Sequence, residues 1–480
     1  MCQERAAGDL PFVDAIGTFS GSELNVRVLR EPVRCTVYTP DIGRILPVYV
    51  PDEYEGFDAR TFLELTGEEL DTYVESNVAA VRTLVERVRP EAALANHAVM
   101  GPVILARALA GSTPYAVKIH GSALEYTVRP APERFLPWVR EGLDPAAGVL
   151  VGSRHTAESL WSLIDDPALR ALTRLGPPGV DVAAFRPLPA GEARDGLRAL
   201  ADRLDRPAAG WGGERGAAEA LRAVAAAEGP VVTYVGKLIV SKGVDLLVAA
   251  WPLVHARLPQ AALCIVGFGT YREALGEMIA ALSRGDLDAV RAIASAGREA
   301  EGGPRGELRH LAAFLDGMDD AARERYAASA RGAAASIHLT GRLEHPDLPA
   351  LLAASAAQVV PSTFPEAFGM VAAEGAACGA LPVSAAHSGL AEVTATLAEA
   401  LPPGLRRLLS FSLGPGAVED LADRLISWLE LAEPERRDAA SRLADLARAR
   451  YGWEGVAEGV LAAAAGRLGE LPEPLPADRS

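Results

Sequence analysis

Apolar residues along the chain fall into two kinds of run. Short blocks at Ala92 to Ala95, Tyr115 to Ile119, Gly148 to Val151, Val231 to Val235, Ala262 to Val266, Ser336 to Leu339 and Gln358 to Pro361 have the length of strands buried on both faces. Glu68 to Arg89, Gly243 to Arg257 and Pro346 to Ala354 instead repeat at helical spacing. Strand blocks that each lead through a polar or glycine turn into a helical pattern predict a parallel sheet with crossover helices. Ahead of Pro90 the pattern differs: Leu24, Val26 and Val28, then Val33, Cys35 and Val37, alternate at strand period, which predicts hairpins and irregular structure.

The rhythm appears twice, and between the two copies the chain turns rich in Pro, Gly, Ala and Arg, as at Arg206-Pro207 and Gly210-Trp211-Gly212-Gly213. The expectation is an α/β protein of two doubly wound domains, residues 1–185 and 230–452, joined by a linker over 186–229. A stretch of Ala, Arg and acidic residues over about 270–335 is too long for one crossover and predicts a helical insert, read as a helical pair. A last helix over 453–470 and a disordered tail over 471–480 complete the reading.

Composition narrows the partners. A chain of 480 residues with 49% hydrophobic residues has material for two to three cores. The net charge of −16, with Lys and Arg scattered among Asp and Glu, leaves no basic stripe for phosphate backbones, so nucleic acid is excluded as a partner. The four cysteines at positions 2, 35, 264 and 378 have neither disulfide-framework nor paired metal-ligand spacing. With no apolar core in Met1 to Gly8 and no membrane-length apolar run, a soluble cytoplasmic protein without a transmembrane segment is expected.

The densest chemistry lies in Pro361-Ser362-Thr363-Phe364-Pro365-Glu366-Ala367-Phe368-Gly369-Met370-Val371-Ala372-Ala373-Glu374, which closes a strand, turns at a proline and enters a helix. Helix-start amides around Phe368, Gly369, Met370 and Val371 suit a diphosphate or sugar hydroxyls, and Gly369 permits close approach. Glu374 can accept both hydroxyls of a ribose and Glu366 can reach a sugar; the plain alternative is two glutamates complementing a helix dipole from solvent. A second segment, Val235-Gly236-Lys237-Leu238-Ile239-Val240-Ser241-Lys242-Gly243, places two lysines around a glycine turn, as a diphosphate clamp or as two surface lysines. His120-Gly121-Ser122 closes a strand in the first half, where a histidine can bond a sugar or cap a loop; Asn96-His97 and Ser153-Arg154 occupy equivalent edges. Asp286-Leu287-Asp288 lies inside the helical insert rather than at a strand end, and Gly267-Phe268-Gly269 lacks the third glycine of a dinucleotide fingerprint.

Gly236-Lys237 with Lys242-Gly243, Gly341-Arg342, and Glu366 with Glu374, in this order and spacing, resemble family-4 retaining glycosyltransferases of the GT-B fold, in which two Rossmann-like domains face each other across a cleft. The resemblance runs from Pro90 to the C-terminal helix and includes Ser388-Gly389-Leu390 and Glu392. It implies a metal-independent transfer of a hexose from a UDP-, GDP- or ADP-sugar, with no cofactor, to a sugar, small-molecule or lipid acceptor. It implies Lys237 and Lys242 on the donor diphosphate, the backbone around Gly341, Arg342 and Leu343 on the base, and Glu374 on the ribose. Glu366 and the Phe368 to Val371 amides would meet the donor sugar, with His120 contacting it from the other domain; Glu366, His120 and Lys242 are thereby the catalytic candidates. Lys237 departs from the family's usual Arg and loses the bidentate fork.

A second departure is the start. The family's opening strand, glycine-rich loop and long helix do not appear, so a truncated N-terminal domain is the expectation. Rival readings are a degenerate nucleotide-sugar-binding protein with little turnover, and a sugar-nucleotide epimerase or a phosphorylase on the same fold.

Overall fold

The computed structural model describes residues 3, 5–50, 54, 56–205 and 216–474. The chain forms two compact units, Met1–Pro177 with Ala457–Ser480, and Pro178–Val456.

In the first unit, β1 (Ala15–Ser20) pairs antiparallel with β2 (Glu23–Val28) and parallel with β3 (Thr36–Thr39), while β4 (Ile45–Val48) and β5 (Asp58–Thr61) form a separate parallel pair. The helix Gly67–Val88 then starts on a capping box: Glu69 N–H donates to Thr66 Oγ1 at 3.2 Å and Thr66 N–H to the Glu69 carboxylate at 2.8 Å. It stops at Arg89 in the left-handed region, next to Pro90. A four-stranded parallel sheet follows in the order β6 (Ala93–Asn96), β7 (Tyr115–Ile119), β8 (Gly148–Val151), β9 (Thr173–Leu175). One apolar layer, including Val74, Val103, Phe135 and Leu160, covers one face of this sheet. Ala463 and Ala464 pack on Ala116 and Leu150 on the other.

The second unit is one six-stranded, all-parallel sheet formed by β10 (Val231–Val235), β11 (Ala262–Val266), β12 (Ile337–Gly341), β13 (Ala357–Val360), β14 (Leu381–Ala385) and β15 (Ser410–Phe411). Its spatial order is β12-β11-β10-β13-β14-β15, the doubly wound order that reverses direction between β10 and β13. Strands covered by helices on both faces must be apolar on both, which is why Val231–Val235 and Ala262–Val266 read as continuous runs. Trp251 and Trp428 are fully buried, and their indole N–H groups donate to Ser336 Oγ at 2.9 Å and Ala356 O at 2.7 Å. Such satisfied burial contributes at least the about 1.5–3 kcal/mol of a large apolar side chain.

Four expectations change in detail. Segment 186–229 is not simply a linker: its described residues include the helices Ala190–Leu204 and Ala217–Ala226, which pack Leu197, Leu200, Leu221 and Val224 into the second core. The change between units falls earlier, at Pro177. The insert holds four α-helices rather than two, Arg272–Arg284, Leu287–Ala296, Arg309–Asp316 and Asp320–Ala333. The last helix closes at Ala464, before a turn at Leu468–Glu470. Of the tail expected to be disordered, residues 475–480 lie outside the described residues.

Candidate functional site

The reversal in strand order leaves a crevice at the carboxyl ends of neighbouring strands β10 and β13, where open α/β sheets hold ligands. Both sequence motifs emerge there. The amides of Thr363 and Phe364 donate to Ser241 O at 2.9 and 3.3 Å, which ties one loop to the other. Gly243 is at φ +65°, and a Cβ on it would stand 2.1 Å from Pro361 O, so the contact requires glycine.

Across this seam Lys242 Nζ forms an ion pair with Glu366 Oε1, which also accepts the Ser362 hydroxyl at 2.5 Å. The backbone of Glu366 is held just as firmly: its N–H donates to Ser388 Oγ at 2.9 Å and its carbonyl accepts Gly389 N–H at 2.9 Å. His387 Nε2 faces Ser362 O at 2.7 Å and must donate to it, while its Nδ1 lies 3.0 Å from Ser388 Oγ. Gly389 lets the two segments touch, since a Cβ there would fall 2.7 Å from the Ala367 carbonyl and the Phe368 Cα. Lys237 is exposed and makes no ion pair among the described residues. Its carbonyl accepts the buried Tyr234 hydroxyl at 2.9 Å, and Gly236 N–H donates to Val266 O at 3.0 Å, so the turn is fixed while the ammonium is available.

Glu374 is the fifth residue of the short helix Met370–Ala377 and is 5% exposed. Burial raises its pKa, and the His345 ring, with Nε2 at 2.8 Å from Oε1, opposes that rise. His345 in turn lies against Phe185 with ring centroids 4.9 Å apart. The solvent-facing dipole reading of Glu374 therefore does not hold, because a carboxylate kept in the interior costs free energy unless polar partners meet it. The helix begins at Gly369 (φ +126°), anchored by Phe368, which is buried edge-on against Tyr451 at 5.5 Å; the Met370 and Val371 amides of the first turn have no preceding helical carbonyl to bond. At the end of β12, Gly341 O accepts Gly267 N–H at 2.9 Å, and exposed Arg342 lies over the Phe268 ring at 5.2 Å while pairing with Glu344 at 3.0 Å. The second unit thus carries Gly341 at the end of β12, Gly236, Lys237, Lys242, Arg342, Glu366, Phe368 and Gly369 on the segments that follow its strands, and Met370, Val371 and Glu374 in the helix that follows β13.

His120 belongs to the first unit, at the end of β7. Its Nε2 is 3.1 Å from Asn96 Oδ1 and its ring is 4.7 Å from His97, which stacks on Tyr49 at 4.3 Å. Burial lowers the pKa of His120, with Lys118 adding to the effect, and pushes His97 down to about 4, so both rings resist taking up charge. The acids dismissed from the sequence have structural partners: Asp286 caps its helix through Ala289 N–H at 3.0 Å, and Asp288 pairs with Arg323 at 2.5 Å. Sequence reasoning gave no role to Ser362, His387, His345 or Glu301. A histidine directly before the Ser388-Gly389 turn was the available signal for His387; His345 and Glu301 meet their partners only through the fold.

A parallel doubly wound sheet with basic and acidic loops at its switch point defines an open α/β protein with a ligand crevice at the carboxyl ends of its strands. The fold is that of GT-B glycosyltransferases: the structure of Anabaena Alr3699/HepE in complex with UDP and glucose superposes with a TM-score of 0.50 at 17% identity, over 89% of this chain and 92% of that one. Residues 311–444 match the family model described as Glycosyl transferases group 1. The chain is 32% identical over 182 residues to the GDP-mannose-dependent alpha-(1-6)-phosphatidylinositol monomannoside mannosyltransferase of Mycolicibacterium smegmatis, covering 38% of each protein. It is 29% identical over 170 residues to the protein of the same name from Mycobacterium tuberculosis, covering 35% of this chain and 36% of that one. The matched region therefore spans well under half the length of these curated relatives. Among the described residues no helix is long and apolar enough to cross a membrane.

Proposed function

We propose that this chain is a hexosyltransferase that takes a sugar from a nucleoside diphosphate donor and passes it, with retention of configuration, to an acceptor hydroxyl. The observation that carries the reading is the Lys242–Glu366 pair at the switch point, with Glu374 buried in the same unit. A departing nucleoside diphosphate develops negative charge. Lys237, Lys242 and the first amides of the helix Met370–Ala377 are the groups that would neutralise it, by electrostatic stabilisation. When the diphosphate takes up Lys242, Glu366 is released to accept sugar hydroxyls, while Ser362, Ser388 and Gly389 keep it in place. Glu374 would receive the ribose hydroxyls, and the platform of Arg342 and Phe268 the base. The leaving phosphate, on the face it vacates, would take the acceptor proton, which gives retention without a protein nucleophile.

The mannosyltransferase relatives favour GDP-mannose as donor and a phosphatidylinositol monomannoside as acceptor. Within the first unit, His120 is the residue proposed to bond a sugar hydroxyl. Melting of the full chain with GDP-mannose, UDP-glucose, ADP-glucose and the free diphosphates tests this reading. A ligand at a hundred times its Kd raises stability by about 2.7 kcal/mol. A rise with GDP and GDP-mannose is expected; no shift with any nucleotide overturns the reading.

A further inference from the structure

The helical insert has so far been given no role, yet one of its side chains reaches the lysine loop. Glu301 closes the short turn Arg298–Glu301, and its Oε2 accepts the Val240 N–H at 2.8 Å. Its side chain is only 12% exposed, and its other oxygen lies 3.5 Å from Arg298 Nε. The turn that presents it is rigidly folded. Arg298 N–H donates to Gly306 O at 3.1 Å and Gly303 N–H to Arg298 O at 2.9 Å, and a Cβ on Gly297 would lie 1.8 Å from Gly306 O.

Other bonds on this loop come from its own turn, where Lys242 N–H donates to Ile239 O and Gly243 N–H to Val240 O, each at 3.0 Å, and from the segments that follow β11 and β13. Leu238 N–H donates to Phe268 O at 2.7 Å, Leu238 O accepts Tyr271 N–H at 3.0 Å, and Ser241 O accepts Thr363 N–H at 2.9 Å. Val240, midway between Lys237 and Lys242, is held by a carboxylate instead. We infer that Glu301 is a positioning residue: through the Val240 amide, the insert fixes the spacing of the two lysines that meet the donor diphosphate. The inference rests on the donor-site reading above. Geometry and charge predict opposite outcomes. A negative carboxylate beside this loop would by charge alone repel a diphosphate, so its removal would tighten binding; as a brace, its removal weakens binding.

Calorimetric titration of the full chain with GDP, UDP and ADP compares wild type with Glu301→Ala, Glu301→Gln and the exposed neighbour variant Glu299→Ala. For whichever nucleotide binds, Glu301→Ala should bind about tenfold more weakly. Glu301→Gln, which keeps an acceptor without the charge, should recover most of that loss, and Glu299→Ala should match wild type. Val240→Pro removes the donor at a position preceded by extended Ile239 (φ −134°), which proline tolerates, so Glu301→Ala should add nothing on that background. Hydrogen exchange at Val240 supplies a readout without ligand: slow in wild type, fast in Glu301→Ala. Equal affinity for wild type and Glu301→Ala, tighter binding by both Glu301 variants, full additivity with Val240→Pro, or unaltered Val240 exchange would each overturn the inference. Absence of nucleotide binding by wild type, with Val240 exchange still dependent on Glu301, would instead defeat the donor-site reading and leave Glu301 as a brace of the loop alone.

Discussion

Replacing Glu374 by Gln should make the free protein more stable and the nucleotide complex weaker. Glu374 is buried, and its pKa is raised because burial disfavours the charge more than His345 restores it. An acid whose folded pKa lies above its unfolded value contributes stability below the unfolded value and loses it as pH rises through the folded one. The glutamine keeps the shape and an acceptor for His345 but never ionises. The melting point of Glu374→Gln should therefore exceed wild type at about pH 8 and converge with it at about pH 4. Affinity moves the other way. A hydroxyl bonded to a carboxylate is worth about 1.5–3 kcal/mol, against about 0.5–1.5 for a neutral acceptor. With one carboxylate oxygen taken by His345, one ribose hydroxyl carries most of the difference, about 1–1.5 kcal/mol or roughly tenfold in Kd. Differential scanning calorimetry without ligand and isothermal titration with GDP measure both quantities. A variant that melts lower than wild type at about pH 8 yet binds nucleotide equally well would show Glu374 to be only a structural partner of His345.

Lys242→Met should abolish turnover and weaken diphosphate binding at least tenfold, roughly the worth of a charge-assisted bond, while a nucleoside without phosphates binds either form alike; equal diphosphate affinities would remove Lys242 from the site. Gly389→Ala puts a methyl 2.7 Å from the backbone of Ala367 and Phe368 and should cost about 1–3 kcal/mol by denaturant unfolding, with turnover falling because Glu366 loses its seat; unchanged stability would contradict the packing at this turn. Asp245 is buried at the start of the helix Val244–Arg257, where burial lifts its pKa to about 7. That acid also favours the folded state at low pH and loses the advantage as pH rises through about 7, so Asp245→Asn should raise the melting point at about pH 8 and not at about pH 4; a pH-independent effect would refute the assignment.

The sequence carried much of this fold because the central strands are covered on both faces and so are written as unbroken apolar runs. Tyr115–Ile119, Gly148–Val151, Val231–Val235 and Ala262–Val266 fall where the runs place them. β14 escaped because Pro382 and Ser384 interrupt its apolar run, although the structure buries both, and β15 has only two residues. The insert was visible as a helical region, but its Ala-rich pattern does not mark where one helix ends, so four helices read as a pair. The site divides in the same way. Lys242, Glu366 and Glu374 sit in contiguous motifs, whereas the contacts that decide their state come from residues distant in the chain. His345 lies 29 positions from Glu374 and Glu301 lies 61 from Val240, and the parallel crossovers alone bring them together.

Hydrogen exchange of the full chain with and without GDP tests the central claim most directly, since it reports both binding and place. Slowed exchange in 237–243 and 366–374 of the second unit is the predicted result. Binding that protects neither segment would put the nucleotide elsewhere and contradict the assignment of Lys242, Glu366 and Glu374 to the donor.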